Sequence, residues 1–225
     1  MLAQVQPGNP ALCDRSAALS AGALAHRALQ TAAVLAERGI GPGDAVGVSI
    51  RSPARCVAAV LGVLAAGGCC IPLAEGLSAR RRESLLCNNG ARMMLTDHLQ
   101  APSPTSIDPT PRSSQGDPYD VAPTWGIAQL PLSLCREAEP LRLALTRRAG
   151  PVACVYPLPH DPTGPAHVLT HRGVAAATAH RTAKGHHPHR MQVLIPASSP
   201  LWPYAVLPAL AHGVLLETTT SPAHP

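Results

Sequence analysis

Nineteen consecutive residues, Cys56 to Ala74, carry no charge. A run of that length either crosses a bilayer or is buried in a protein core. Gly67-Gly68 and Pro72 interrupt it, and its Ala and Gly content dilutes its hydrophobicity. A buried helix to about Ala66, a Gly-Gly stop and a buried strand from Cys69 to Leu73 account for the run. No membrane span is expected. Met1 to Arg15 holds no continuous apolar stretch, so no secretory leader is expected either.

The flanking residues extend this into an alternation. Ser20 reads as the N-cap of a helix reaching about Arg38, with Leu24, Ala28, Ala32 and Leu35 on one face and Gly39 just past its end. After the turn Gly41-Pro42-Gly43-Asp44, residues Val46, Val48 and Ile50 alternate as in a strand. Ser52-Pro53 reads as N-cap and first helical residue of the charge-free helix. Ser78 opens a basic helix to about Asn88, Gly90 ends it, and Ala91 to Thr96 gives a further strand. Strand and helix alternating over short connections predict an α/β fold, with parallel sheets flanked by helices.

Between 101 and 123 the pattern stops: six Pro with Ser and Thr mark a linker or surface loop. A helix is expected over Leu130 to Arg148. Beyond it come a strand from Val152 to Tyr156, a loop from Pro157 to His167, a helix from His171 to about Lys184, a strand from Gln192 to Ile195, a helix near Tyr204 to His212 and a strand from Val214 to Thr218. The expected organisation is a tail over 1–15, a first α/β lobe over 16–100, a linker or insert over 101–150 and a second, partial lobe over 151–225.

Composition narrows the function classes. The chain has no Phe, two Trp and three Tyr, so its core must be built from Ala, Val, Leu and Ile. A net charge of +5 is mild and dispersed. Without aromatic stacking platforms it does not describe a nucleic-acid groove, and no nucleic-acid partner is expected. Seven Cys, an odd number with no Cys-x-x-Cys, point to free thiols in a reducing compartment, read here as the cytoplasm. His180, His186, His187 and His189 lack zinc-site spacing and read as a solvated helix end, so no metal site is expected. His160-Asp161 reads as a loop pair, because no Gly-x-Ser-x-Gly elbow supplies a nucleophile.

Three segments carry a resemblance: "RGIGPGDAVGVSI", "AAVLGVLAAGGCCIPL" and "NNGARMMLTD", all within Arg38 to Asp97. Their order and spacing are similar to the N-terminal region of the adenylate-forming (AMP-binding) superfamily. That superfamily includes acyl-CoA synthetases and the adenylation domains of nonribosomal peptide synthetases. Leu64 to Leu73 is closest to the Leu-Lys-Ala-Gly-Gly-Ala-Tyr-Val-Pro-Leu of the peptide-synthetase branch. The resemblance covers most of 16–100 and 150–220. It implies a ligase-like reaction that activates an amino or fatty acid with ATP and Mg to an acyl-adenylate, then passes it to a thiol of CoA or a carrier protein.

The same resemblance extends to "VACVYPLPHDPTGPAHVLTHRGV", Val152 to Val174. In the family this is the phosphate loop, Tyr-Thr-Ser-Gly-Ser-Thr-Gly-x-Pro-Lys-Gly-Val, followed by Thr-His. Tyr156, Thr163, Gly164 and Pro165 match it as nucleotide-binding positions; Thr170 and His171 match the Thr-His beside the acyl site. The early hydroxyl-rich residues are replaced by Pro157-Leu158-Pro159-His160-Asp161-Pro162, and the Lys-Gly pair by Ala166-His167. Three prolines remove three N–H donors, and Asp161 opposes a triphosphate. No catalytic residue is assigned. Family residues that hold adenine, ribose and magnesium, and a catalytic Lys, belong to later segments. The expectation is a truncated, degenerate adenylation region, with a separate chain supplying the missing half. The alternative is a non-catalytic pseudoenzyme or a partner- or acyl-binding module.

Overall fold

The computed structural model of the chain describes residues 6–14, 18–97, 127–136, 151–157, 166–183 and 188–218. They form two sheets. One has four strands: β1 (Pro10–Cys13), β2 (Ala18–Ser20), β9 (Arg190–Val193) and β10 (Leu215–Thr218), ordered β2-β1-β10-β9. The other has six: β3 (Ala45–Ser49), β4 (Cys69–Pro72), β5 (Ala91–Thr96), β6 (Ala128–Pro131), β7 (Val152–Tyr156) and β8 (His167–Thr170), ordered β6-β5-β3-β4-β7-β8. The helices are α1 (Ala21–Glu37), α2 (Pro53–Ala65), α3 (Ala79–Asn88), α4 (His171–Ala183) and α5 (Trp202–Ala211). Among the described residues no helix is long and apolar enough to cross a membrane.

Local chemistry sets the first half. The hydroxyls of Ser20, Ser52 and Ser78 accept from the backbone N–H groups of Ala23, Arg55 and Arg81, capping α1, α2 and α3. Gly39, Gly67 and Gly90 take positive φ just past the ends of those helices. The charge-free run is α2 and β4, both packed into the core.

Several sequence expectations are corrected. In β3, Val46, Gly47 and Val48 are all buried, so the strand does not alternate core and solvent. Its second face is closed by α3: a Cβ at Gly47 would lie 2.5 Å from Leu86 Cδ2. Residues 10–13, placed in a tail, form β1, with Leu12 fully buried beside β10. Residues 128–136, placed in a linker, form β6, parallel to β5, and a 3-10 turn over Leu132–Arg136 that buries Leu132 and Cys135. A helix was expected there; the four-residue strand ending in Pro131 has no alternation to signal it. Residues 137–150 lie outside the described residues. β9 starts at Arg190, upstream of the expected Gln192, because it registers against β10 as Arg190↔Leu215.

The pairs β1–β2 and β7–β8 are antiparallel and the other pairings parallel. Short connections permit only a hairpin, whereas parallel pairing needs a crossover. His167, expected at a loop end, opens β8 opposite Tyr156. The carboxyl ends of β3 and β4 meet those of β9 and β10, since residues at or just past all four line one cleft.

Candidate functional site

A cleft of about 290 Å³ opens where those ends meet. Ligands in open α/β folds bind outside the carboxyl ends of parallel strands. Here Ile50 and Leu73 follow β3 and β4, Val193 and Thr218 end β9 and β10, and Trp202 opens α5. Val57 and Cys56 of α2 form part of the wall. Polar lining comes from Arg51, Glu75, Ser198 and Thr218. An apolar pit with a few polar groups at its edge is the usual composition of a small-molecule site.

Two carboxylates brace this edge. Asp14, just past β1, accepts through Oδ2 from Ser52 Oγ and from Ala54 N, each at 3.2 Å. It thereby ties the four-stranded sheet to the positive end of α2. Asp97, just past β5, accepts from Arg51 N at 2.8 Å and pairs with Arg55 Nη1 at 3.4 Å. The start of α2 is therefore held from both sheets.

Behind the wall lies a group of thiols. Cys70 and Cys154 are register partners on β4 and β7 and both are fully buried. Burial, then the Asp97 and Glu75 carboxylates, pushes the Cys56 thiol up to about 12. Burial likewise pushes Cys69 up to about 12, and burial, then its hydrogen bond with Cys154, raises Cys70. These are protonated, unreactive thiols at neutral pH. Among the described residues no cluster of three or more His, Cys, Asp or Glu could hold a metal ion.

The residues singled out from sequence fall in three places. Tyr156 ends β7 and is buried; its hydroxyl has no hydrogen-bond partner among the described residues. Burial, then the neighbouring Cys154 and Cys70, raises its phenol pKa strongly. Thr163, Gly164 and Pro165 lie outside the described residues, as do His160 and Asp161. Thr170 ends β8, and its Oγ1 accepts from Gly173 N at 3.0 Å, capping α4. The His171 backbone N–H donates to the Pro151 carbonyl at 3.2 Å. Its ring is half-buried, Nε2 has no partner among the described residues, and burial lowers its pKa. Tyr156 and His171 stand at opposite ends of the hairpin, separated by the length of β7, about 13 Å at strand rise. They are not brought together.

Sequence reasoning passed over Asp14, Arg51, Glu75 and Asp97. Their signal is positional: each follows directly on, or within a few residues of, the carboxyl end of a strand.

Two mainly parallel sheets with a cleft at their carboxyl ends, flanked by helices, are the architecture of the N-terminal region of ligase-like adenylate-forming domains. The chain belongs to the AMP-binding enzyme family, whose profile matches residues 2–138. It is 49% identical over 77 residues to pyochelin synthetase PchE of Pseudomonas aeruginosa, a match covering 34% of this chain and 5% of that protein. It is 33% identical over 95 residues to surfactin synthase subunit 1 of Bacillus subtilis, covering 42% and 3%. Among solved structures, the nonribosomal peptide synthetase FmoA3 superposes with a TM-score of 0.77 at 25% identity, over 99% of this chain and 22% of that one. The O-succinylbenzoate coenzyme A synthetase of Bacillus subtilis in complex with AMP gives 0.71 at 18% identity, over 99% and 55%, a likeness of fold. The chain thus spans a small fraction of these peptide synthetases.

Proposed function

We propose that this chain is an adenylation-type region of the peptide-synthetase branch that holds a carboxylic acid in the cleft between its sheets and does not itself join that acid to ATP. Full family members activate a carboxylate as an acyl-adenylate and hand it to a carrier or CoA thiol. The matches to two peptide synthetases support a carrier protein as the natural partner of this region.

One observation carries the reading: the cleft wall is mainly apolar, with polar side chains at its edge, whereas the segment joining β7 to β8 has the wrong chemistry for a triphosphate. Its sequence has four prolines, Asp161 and no lysine between Tyr156 and His171. Each lost charge-assisted contact to a phosphate costs about 1.5–3 kcal/mol. The segment therefore does not fit ATP, nor the magnesium that accompanies it, and no step is derived through either. Tyr156 turns its side chain into the thiol-lined core, and Thr170 spends its hydroxyl on capping α4.

Exchange of labelled pyrophosphate into ATP, with pooled amino and fatty acids, tests this. No exchange above a protein-free control is expected, while acids from the same pool show saturation-transfer contacts with the chain. Robust acid-dependent exchange refutes the proposal.

A further inference from the structure

The six-stranded sheet is joined unevenly. The pairs β3–β4, β3–β5, β5–β6 and β7–β8 each register along four residues or more. Between β4 and β7 one pair registers among the described residues, and both its members are cysteines, Cys70 and Cys154. The β7–β8 hairpin is laddered to the rest of its sheet at these two residues.

The two thiols face the same way. Cys70 and Cys154 belong to one core cluster with Cys56, Val57 and Tyr156, whereas Ile71 and Leu73 belong to the cluster on the other face of β4. Successive side chains alternate across a sheet, so Cys69 points with Ile71 and not with Cys154. Cys56 stands on α2, in the helix layer and not on an adjoining strand. Cys70 and Cys154 are fully buried, and their thiols are hydrogen-bonded to each other. Adjacent strands run about 4.8 Å apart, inside the Cα separations of roughly 4.4–6.8 Å that a disulfide spans.

We propose that Cys70 and Cys154 form a reversible cross-strand disulfide that locks the β7–β8 hairpin to β4. The oxidant is a small peroxide. A thiolate of the pair attacks one peroxide oxygen, the O–O bond breaks, and a sulfenic acid and one water result once the thiol proton is passed to the leaving oxygen. The second thiol attacks the sulfenic sulfur, which forms the S–S bond and releases a second water. Two thiols lose two electrons and two protons, and hydrogen peroxide is reduced to two waters. In the closed sheet the pair is shielded, because burial keeps the Cys70 thiol protonated and a protonated thiol does not attack. The pair reacts while β7 is lifted from β4, an opening that breaks one registered pair, and the bond holds the hairpin down once it closes. A dithiol reductant restores the free thiols. The bridge closes the whole chain between residues 70 and 154 into one loop, and long loops constrain the unfolded state most.

The test uses the full chain, reduced and then freed of reductant. It is treated with hydrogen peroxide below its urea unfolding transition, quenched with catalase and iodoacetamide, and digested without reductant. Mass spectrometry is expected to find Cys70 and Cys154 in linked peptides as the main disulfide product. Linking is expected to quicken as urea is raised within the native range. The oxidised chain should melt about 5–15 °C higher, and dithiothreitol should reverse both the link and that gain. Cys70→Ser and Cys154→Ser should lose both, while Cys56→Ser and Cys69→Ser keep them. Where a serine variant does not fold, the wild-type peptide map and the dithiothreitol-reversible part of the Tm shift decide alone. A main link through any other cysteine, oxidation without a link, no reaction, or a link that leaves Tm unchanged overturns the proposal.

Discussion

Gly62 sits in α2 where α2 crosses α1, and Gly62→Ala sets two effects of opposite sign against each other. Alanine in a helix interior is worth up to about 1 kcal/mol over glycine. Against this, a Cβ at position 62 would lie 2.6 Å from Thr31 Cβ, 2.7 Å from Thr31 Cγ2 and 2.9 Å from the Ala28 carbonyl oxygen. Thr31 is buried and its hydroxyl donates to the Arg27 carbonyl at 3.0 Å. The Ala28 oxygen is helix backbone, so neither neighbour retreats without moving α1. Overpacking of this kind costs about 1–3 kcal/mol, and the clash wins. A net loss of about 1–2 kcal/mol lowers Tm by about 2–8 °C in a chain of this size, read by circular dichroism on melting. Thr31→Gly removes the side-chain part of the clash. The double variant should therefore lose less than the sum of the single losses, by about 0.5 kcal/mol or more. A raised Tm in Gly62→Ala, or strict additivity, would refute the packing argument.

Three further outcomes follow from the site. Asp14→Ala strips the partner from Ser52 Oγ and Ala54 N and should cost about 0.5–2 kcal/mol, the range for lost helix caps, measured by urea unfolding. Because the Cys56 and Cys69 thiols are raised to about 12 in the folded chain from an ordinary 9.0, the folded state holds their protons more tightly. That stability is fully present below pH 9 and is lost as pH rises towards 12; at pH 8, iodoacetamide should label both only after denaturant is added. His171, whose pKa burial lowers from 6.5, contributes stability present above its ordinary value and lost as pH falls through the depressed one. Its ring proton should titrate below the ordinary histidine value of 6.5 in an NMR pH series.

Much of the fold was legible because the signals were local. Ser20, Ser52 and Ser78 announce α1 to α3 by their hydroxyls, and the glycines at 39, 67 and 90 announce the ends. β6 was not legible: Ala128-Gln129-Leu130-Pro131 is too short to show a period, and its place beside β5 is set by pairing across a long connection. β1 escaped for the same reason, since Ala11 and Leu12 acquire meaning only against β10. The cleft is a tertiary product. Arg51, Glu75, Asp97 and Asp14 are ordinary loop residues until two sheets bring their strand ends together. The resemblance drew attention to Tyr156 and His171, which the fold places at opposite ends of one hairpin.

Titration of Mg·ATP into the chain by isothermal calorimetry, repeated with the exposed Arg80→Ala chain as a control for loose charge attraction, tests the central claim most directly. The account predicts no saturable heat at millimolar nucleotide in either protein. A saturable isotherm at sub-millimolar ATP that persists in the control would mean that the proline-rich segment grips the triphosphate after all, and would contradict it.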